Sequence, residues 1–453
     1  MNPAERLELR DDGTPSQAEQ ELRAQLPLDL GDELQLRFGE RRDIDGLVEI
    51  LECLGGKEAM AIWNRDNLEG RHPNVSYRDF TLVEDVSTGR IVSAMSLISQ
   101  TWSYGGIPFG CGQPEMVVTD PDYRRRGLVR RQIDVVHELS AARGELMQII
   151  WGKPWYYRMF GYEYAMNGEW GMPWLIHAPQ IPALAEGETE PYILRPIRQE
   201  DYEFVRRLQE RGAQRGLFAA VKDDRDWAFY FEGYSPGAMK QFWWYTICDH
   251  EGKAIGFLTL HDSPWWNFVD KLELAPGYAY LQVLPSVLRQ VQQIEPVDGP
   301  ASTAGLGRPT VQLHLPPNHP AARAIEAPAG NKLWYIRIPD VVEYLRHIRP
   351  ALEANLVGTE AEGFSGELNI NCFRWGLQMR LERGRITAIE PWRTDDLDHR
   401  PMFPDLTLLQ VICGSRRCAE LMAAFPDCRV SDADARLLDC LFPTFHGGLW
   451  LGN

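Results

Sequence analysis

The run Glu115-Met116-Val117-Val118-Thr119-Asp120-Pro121-Asp122-Tyr123-Arg124-Arg125-Arg126-Gly127-Leu128-Val129-Arg130-Arg131 constrains this chain more than any other stretch. An apolar strand ends at a proline turn, three arginines and a glycine follow, and a helix begins whose apolar stripe is Val129, Ile133, Val136 and Leu139. Such a turn presents unpaired backbone N–H groups at the positive end of a helix dipole, and Gly127 lets a ligand approach the backbone closely. The turn therefore suits an anion, and pyrophosphate fits it. A solvated basic helix start is the plainer alternative.

The surroundings are those of a soluble globular chain. At roughly 150 residues per domain, 453 residues imply about three domains. Hydrophobic residues at 44% and charged residues at 25% exclude general disorder. No stretch approaches the ~18 apolar residues of a membrane span, and the polar, acidic segment Met1 to Arg23 has no signal-peptide core, so a cytoplasmic, membrane-free protein is expected. Lys and Arg number 47 against 64 Asp and Glu, a net charge of −17 that disfavours nucleic acid and favours a cationic small molecule. Eight cysteines without a Cys-x-x-Cys pair read as reduced thiols, and Cys413, Cys418, Cys428 and Cys440 as buried small hydrophobes. His261, His314 and His446 have no partner at ligand spacing, so no metal is expected, and His137 reads as a surface residue.

Residues 1–33 read as a flexible N-terminal arm. Leu34, Leu36 and Phe38 then alternate as a strand, and Asp43 precedes a helical stripe of Leu47, Ile50, Leu51 and Leu54. At an offset of 158 residues, Leu36, Arg37, Asp43, Leu47 and Ile50 are echoed by Leu194, Arg195, Asp201, Val205 and Leu208, which suggests two copies of one plan. Prolines and Glu186, Glu188 and Glu190 between Pro173 and Pro191 mark a linker. The second copy has strands around Gln241 to Asp249 and Ala254 to His261 and a helix carrying Leu281, Leu284, Leu288, Val291 and Ile294, but no arginine-glycine turn. From Leu333 come a strand, a long helix over Val341 to Leu356, and alternating strands, an α+β pattern.

Beyond the arginine turn and its helix lie a buried strand, Leu146 to Trp151, and an aromatic loop, Gly152-Lys153-Pro154-Trp155-Tyr156-Tyr157-Arg158-Met159-Phe160-Gly161-Tyr162-Glu163. Strand, Arg-x-x-Gly turn, helix, strand and Tyr-x-x-Phe-Gly-Tyr, in that order, resemble the GNAT acyltransferase superfamily, whose turn binds the pyrophosphate of acetyl-CoA. The pattern Val-x-x-Pro-x-x-Arg-Arg-Arg-Gly-Leu from Val118 to Leu128, with two α/β modules and a sterol-carrier-protein-like end, is similar to the enhanced intracellular survival (Eis) type of bacterial N-acetyltransferase. The likeness spans roughly residues 34 to 453, with specific motifs in the first module alone. It implies a mixed α+β and α/β fold: the arm at 1–33, a catalytic GNAT domain at 34–175, a second GNAT-like domain at 190–330 and a sterol-carrier-protein-like domain at 331–453.

The resemblance assigns the pyrophosphate to Arg124, Arg125, Arg126, Gly127, Leu128 and Val129, and the pantetheine arm to the backbone of Val117, Val118 and Thr119. Val129 departs from the superfamily, which favours Gly or Ala there. The family's general acid falls on Tyr157, and a phenol of pKa about 10 is able to protonate a departing thiolate near pH 7. Packing among the loop aromatics is the alternative role, and Tyr156 is the alternative acid. For the base the family implies the C-terminal carboxylate, here of Asn453, where the family usually ends on an aromatic residue. Glu115, acting through a water, competes, as does water alone. Trp63, Met116 and Trp102 either line the amine pocket or pack in the core.

The reading is an acetyl-CoA-dependent N-acetyltransferase that acetylates a primary amine of a cationic small molecule, aminoglycoside-like or polyamine-like, and the resemblance implies a homo-oligomer, a hexamer. A non-catalytic acyl-CoA or lipid carrier and a protein lysine acetyltransferase are the rival readings.

Overall fold

The computed structural model describes residues 15–54, 58–167, 174–176, 181–238, 242–261, 267–294, 311–315, 319–321, 333–396 and 398–444. In chain order the first part holds α1 (Gln17–Ala24), β1 (Leu28–Gly31), β2 (Leu34–Phe38), α2 (Ile44–Leu51), α3 (Glu58–Leu68), β3 (Phe80–Asp85), β4 (Arg90–Tyr104), β5 (Ile107–Thr119), α4 (Leu128–Ala142), β6 (Met147–Ile150) and β7 (Glu163–Asn167). The middle holds β8 (Trp174–Ile176), β9 (Tyr192–Pro196), α5 (Tyr202–Ala213), β10 (Phe218–Val221), α6 (Asp224–Ala228), β11 (Phe242–Asp249), β12 (Ala254–His261), β13 (Asn267–Leu274), α7 (Tyr280–Gln293) and β14 (Val311–Leu313). The last part holds β15 (Leu333–Arg337), α8 (Val341–His347), α9 (Arg349–Leu356), β16 (Gly366–Asn371), β17 (Gly376–Glu382), β18 (Arg385–Pro391), α10 (Leu408–Ile412), α11 (Cys418–Ala424) and α12 (Asp432–Leu441).

The largest sheet runs β1-β2-β3-β4-β5-β6-β15-β7, with β10 paired to the far end of β4. Its strands alternate between two faces, and each face is covered. Leu128, Ile133, Val136 and Leu139 of α4 pack with Met95 and Leu97 on one side. Leu47 and Leu51 of α2 pack with Phe80, Leu82, Ala94 and Ile98 on the other. Among the described residues only β5 and β6 in this sheet pair in parallel, and α4 makes the crossover that a parallel pair requires. A second sheet, β8-β14-β13-β12-β11-β9, repeats the device with parallel β13 and β14 around α7. A three-stranded antiparallel sheet, β16-β17-β18, lies in the last part.

The weak echo between Arg37/Asp43 and Arg195/Asp201 is a repeated structure. The Arg37 guanidinium grips both oxygens of Asp43 at 2.6 and 2.7 Å, and Arg195 grips Asp201 at 2.6 and 2.9 Å. In each copy the same aspartate also accepts a backbone N–H three residues upstream, from Glu40 and from Arg198, and so pins the start of its helix.

The expected domain limits shift in three places. Residues 15–33 are not a loose arm: α1 is capped by Ser16, β1 pairs with β2, and Glu19 bonds Arg143 beyond the end of α4 at 3.1 Å. β8, expected to close the first domain, is the edge of the second sheet, paired with β14. β15, expected to open the third domain, lies between β6 and β7 in the first sheet. The long helix expected over 341–356 is two helices, because Pro350 in the first turn of α9 has no N–H to continue the ladder.

Candidate active site

The parallel strands β5 and β6 part early. Their pairing is confined to Cys111 with Met147 and Gly112 with Gln148. Beyond that point β5 carries Pro114, which has no N–H to donate, and then a bulge: the register with β4 slips between Ala94 and Ser96, with Met116 at φ +54°. From Gln113 to Thr119, β5 is therefore paired with β4 on one edge and has no strand partner on the other among the described residues. Val117, Val118 and Thr119 lie along that open edge.

At the end of β5, Asp120 accepts the Asp122 N–H and turns the chain through Pro121 to Tyr123. Arg124, Arg125, Arg126 and Gly127 are exposed, and Gly127, at φ +78°, is the N-terminal cap of α4 with no side-chain capping bond. The N–H groups of Leu128, Val129 and Arg130 thus precede any intrahelical acceptor and point out of the helix end. A Cβ built on Gly127 would meet nothing within 4 Å, so the left-handed backbone, rather than crowding, calls for glycine there. Arg124 Nε donates to the Thr119 carbonyl at 3.3 Å, and the Arg126 guanidinium lies over the Tyr123 ring at 4.8 Å. An open strand edge leading to a helix end with free donors and three exposed arginines fits a nucleotide thioester: the turn for its pyrophosphate, the strand edge for its arm.

Tyr157 lies in a short 3-10 turn, Tyr156–Phe160, between β6 and β7. Its ring is packed edge-on among Tyr156 (5.1 Å), Tyr335 (5.6 Å) and Tyr162 (6.2 Å). None of the described residues hydrogen-bonds its hydroxyl. Burial, and after it the charge of Glu115, pushes the phenol pKa up, which keeps the proton on oxygen. Tyr156 is half-buried and also raised by burial. The loop rim is apolar and exposed at Trp151, Trp155 and Met159, and Arg158 stacks on Trp155 at 4.7 Å.

Glu115 projects from β5 just where the strands part and is half-buried. Its Oε2 accepts from Gln113 Nε2 at 2.8 Å and its Oε1 from the Met116 N–H at 3.3 Å. Burial raises its pKa, and these two donors oppose the rise. Met116 packs in the core beneath α2, and Trp102 is wholly buried, so both serve packing rather than an open pocket. Trp63, on α3, packs between the core beneath α2 and the cluster around Trp227. Asn453 lies outside the described residues. His137 is not at the surface: it is half-buried, bonds the Tyr162 hydroxyl at 3.0 Å, and is pushed down to about 3 by burial and by Arg337.

Two residues of this site have no motif to announce them. Tyr335 reaches it from β15, stacked on Tyr164 at 3.8 Å and donating its hydroxyl to the Lys153 carbonyl at 3.1 Å. Gly152 faces Tyr157 so closely that a Cβ would stand 2.7 Å from Cε2 of the ring. A cavity of about 1280 Å³ lies elsewhere, near the C-terminal end of α4, lined by Glu19, Arg37, Gln100, Arg143, Glu145 and Lys222. The described residues contain no group of side chains able to hold a metal ion, and no helix among them is long and apolar enough to cross a membrane.

Residues 37–165 match the acetyltransferase (GNAT) domain family. The chain carries a GNAT acetyltransferase domain and is an enzyme of that class. The whole fold is similar to solved structures. A GCN5-related N-acetyltransferase from Kribbella flavida aligns with a TM-score of 0.63 and 18% identity, over 93% of this chain and 98% of that one. One from Anabaena variabilis ATCC 29413 aligns with a TM-score of 0.63 and 12% identity, over 92% and 99%. Eis1 from Mycobacterium abscessus aligns with a TM-score of 0.56 and 15% identity, over 92% and 98%. No curated protein matches the chain.

Proposed function

We propose that the protein transfers an acetyl group from acetyl-CoA to a primary amine of a cationic small molecule, aminoglycoside-like or polyamine-like, with the site at the parting of β5 and β6. The observation that carries this reading is that the donor turn, the open edge of β5, Glu115 and Tyr157 converge on one place. Acetyl-CoA supplies the activated acyl group as a thioester. Arg124 to Val129 hold its pyrophosphate, and the backbone of Val117 to Thr119 aligns its arm. Glu115 takes a proton from the acceptor ammonium, directly or through water; a terminal carboxylate at Asn453 is the alternative base. The amine nitrogen bonds to the acyl carbon, the carbon–sulfur bond breaks, the Tyr157 hydroxyl proton passes to the sulfur, and the second proton of the attacking nitrogen returns through water to the Tyr157 phenolate, leaving a neutral amide.

The net charge of −17 supports a cationic acceptor. The middle part reads as a second GNAT-like module that has lost its cofactor turn, since β13, α7 and β14 repeat the β5-α4-β6 crossover while Ala275 to Ala279 carry no arginine. The last part reads as a sterol-carrier-like domain, the whole chain as Eis-type, and the assembly as a cytoplasmic hexamer, which light scattering tests.

Steady-state release of CoA thiol with polyamines, aminoglycosides and lysine peptides, in wild type and Tyr157→Phe, tests the reaction. Amine-dependent release that falls at least about tenfold in the variant is expected. Binding of acetyl-CoA without release for any amine would favour the carrier reading, and release with peptides alone the protein-acetylating one.

A further inference from the structure

We propose that Gln113 is a positioning residue that aims and tunes the Glu115 carboxylate, held in its one working orientation by Gln100 and Trp102. The proposal rests on Glu115 being the base of the reaction above. Gln113 Nε2 donates to Glu115 Oε2 at 2.8 Å, Gln100 Nε2 donates to Gln113 Oε1 at 2.7 Å, and Trp102 Nε1 donates to Gln100 Oε1 at 3.0 Å. The chain follows one face of the paired strands, because Ser96 opposes Glu115, Ile98 opposes Gln113 and Gln100 opposes Cys111 across the β4/β5 ladder.

The polarity of this chain is fixed from its buried end. An indole N–H donates and has no lone pair to accept with, so Gln100 must turn its oxygen toward Trp102 and its nitrogen toward Gln113. Gln113 must then turn its oxygen toward Gln100 and its nitrogen toward Glu115. Reversing the Gln113 amide would set donor against donor and acceptor against acceptor inside the sheet, where water offers little relief, since Gln113 is 1% exposed; Gln100 is half-buried at the edge of the cavity, and the wholly buried Trp102 indole is what fixes its orientation. Glu115 thus always receives a donor on Oε2 while the Met116 N–H occupies Oε1. Two donors favour the carboxylate against the burial that favours the acid, which suits a group that must arrive ionised and leave protonated.

The test compares wild type, Gln113→Met, Gln100→Met and Glu115→Gln by two readouts: the pH profile of kcat/KM for amine acetylation, and infrared titration of the carboxyl band that Glu115→Gln removes. In Gln113→Met the acidic limb and the band are expected to move together to higher pH by about one unit, a roughly tenfold loss on the acid side with the plateau retained and acetyl-CoA affinity unchanged. Gln100→Met, which frees the Gln113 amide to turn, is expected to shift both the same way by less, and it carries the test if Gln113→Met does not fold. A uniform loss of kcat/KM at every pH, or a band that stays in place in both variants, would overturn the proposal. If Glu115→Gln keeps wild-type turnover while Tyr157→Phe does not, the base assignment and this inference fall together and acetyl transfer stands. If no amine is acetylated by wild type, acetyl transfer falls, and the infrared shift still decides what Gln113 does to Glu115.

Discussion

Tyr335 stands edge-on against Tyr157, ring centres 5.6 Å apart at 73°, although one belongs to the last part of the chain and the other to the first. The contact exists because β15 is threaded between β6 and β7, so the last part of the chain completes the sheet that positions the proposed acid. Tyr335→Ala removes a wholly buried ring and should cost about 3 kcal/mol, read as a lower denaturation midpoint, together with a loss of kcat as Tyr157 slackens. Tyr335→Phe forfeits only the bond to the Lys153 carbonyl and should cost about 1 kcal/mol with kcat nearly retained. Equal kcat in wild type and Tyr335→Ala would show that Tyr157 needs no support from β15.

Gly152→Ala places a methyl group 2.7 Å from Cε2 of Tyr157. The ring has to swing, and its neighbours Tyr156, Tyr162 and Tyr335 resist. The expected outcome is a stability loss of about 1 to 3 kcal/mol and a fall in kcat larger than any change in acetyl-CoA affinity. Calorimetric titration of acetyl-CoA beside steady-state kinetics separates the two.

Gly127→Ala meets no obstructing atom but must hold φ +78°, which costs about 1 to 2 kcal/mol in a residue with a Cβ. Relaxing the backbone turns the donors of the α4 end away from the ligand. Acetyl-CoA affinity should fall about tenfold by calorimetry, with kcat at saturation little changed, because the turn binds and does no chemistry.

How much of this was legible in the sequence depends on whether the signal was local. The strand, turn and helix from Glu115 to Leu139 are written in periodicity and in Gly127, and Tyr157 is marked by its loop. The Arg37/Asp43 echo was faint in residues because only the pair that caps the helix recurs closely, while the packing around it changed. The alternation of Trp334 and Ile336 foretold a strand but not its seat, since pairing with Ile149 and Met166 is a tertiary choice that no local pattern encodes. Gly152 looked like any loop glycine until the Tyr157 ring was seen against it. Residues 15–33 looked loose because Glu19 and Arg143 find each other only after α4 folds.

The twin salt bridges predict how the protein fails in acid. Burial alone would raise the Asp43 and Asp201 pKa values, but the Arg37 and Arg195 guanidinia outweigh it, and both aspartates end below the usual range. A depressed native pKa contributes stability that is present above the unfolded value and lost as pH falls through the native one. Stability should therefore decline below about pH 4. Arg37→Met and Arg195→Met should each cost about 2 to 3 kcal/mol at pH 7 and show a shallower acid decline, read by urea midpoints at several pH values. Parallel curves for wild type and variants would mean that other carboxylates govern acid unfolding.

The alkaline side of the activity profile tests Tyr157 itself. Burial, then the Glu115 charge, then Tyr156 raise its pKa above the ordinary phenol range, so the proton stays on the hydroxyl where a free tyrosine would lose it. A proton donor works only while protonated, so a raised pKa extends the active range upward. kcat should stay level through about pH 10, with no basic limb from this residue. In Glu115→Gln the carboxylate charge is gone and one of the forces holding the Tyr157 proton goes with it. Any basic limb should then move to lower pH, opposite in direction to the effect of removing a positive charge. Ultraviolet difference titration of the phenolate band, wild type against Tyr157→Phe, reports the same ionisation without turnover, and a Tyr157 signal that titrates near the free-phenol value would contradict this account.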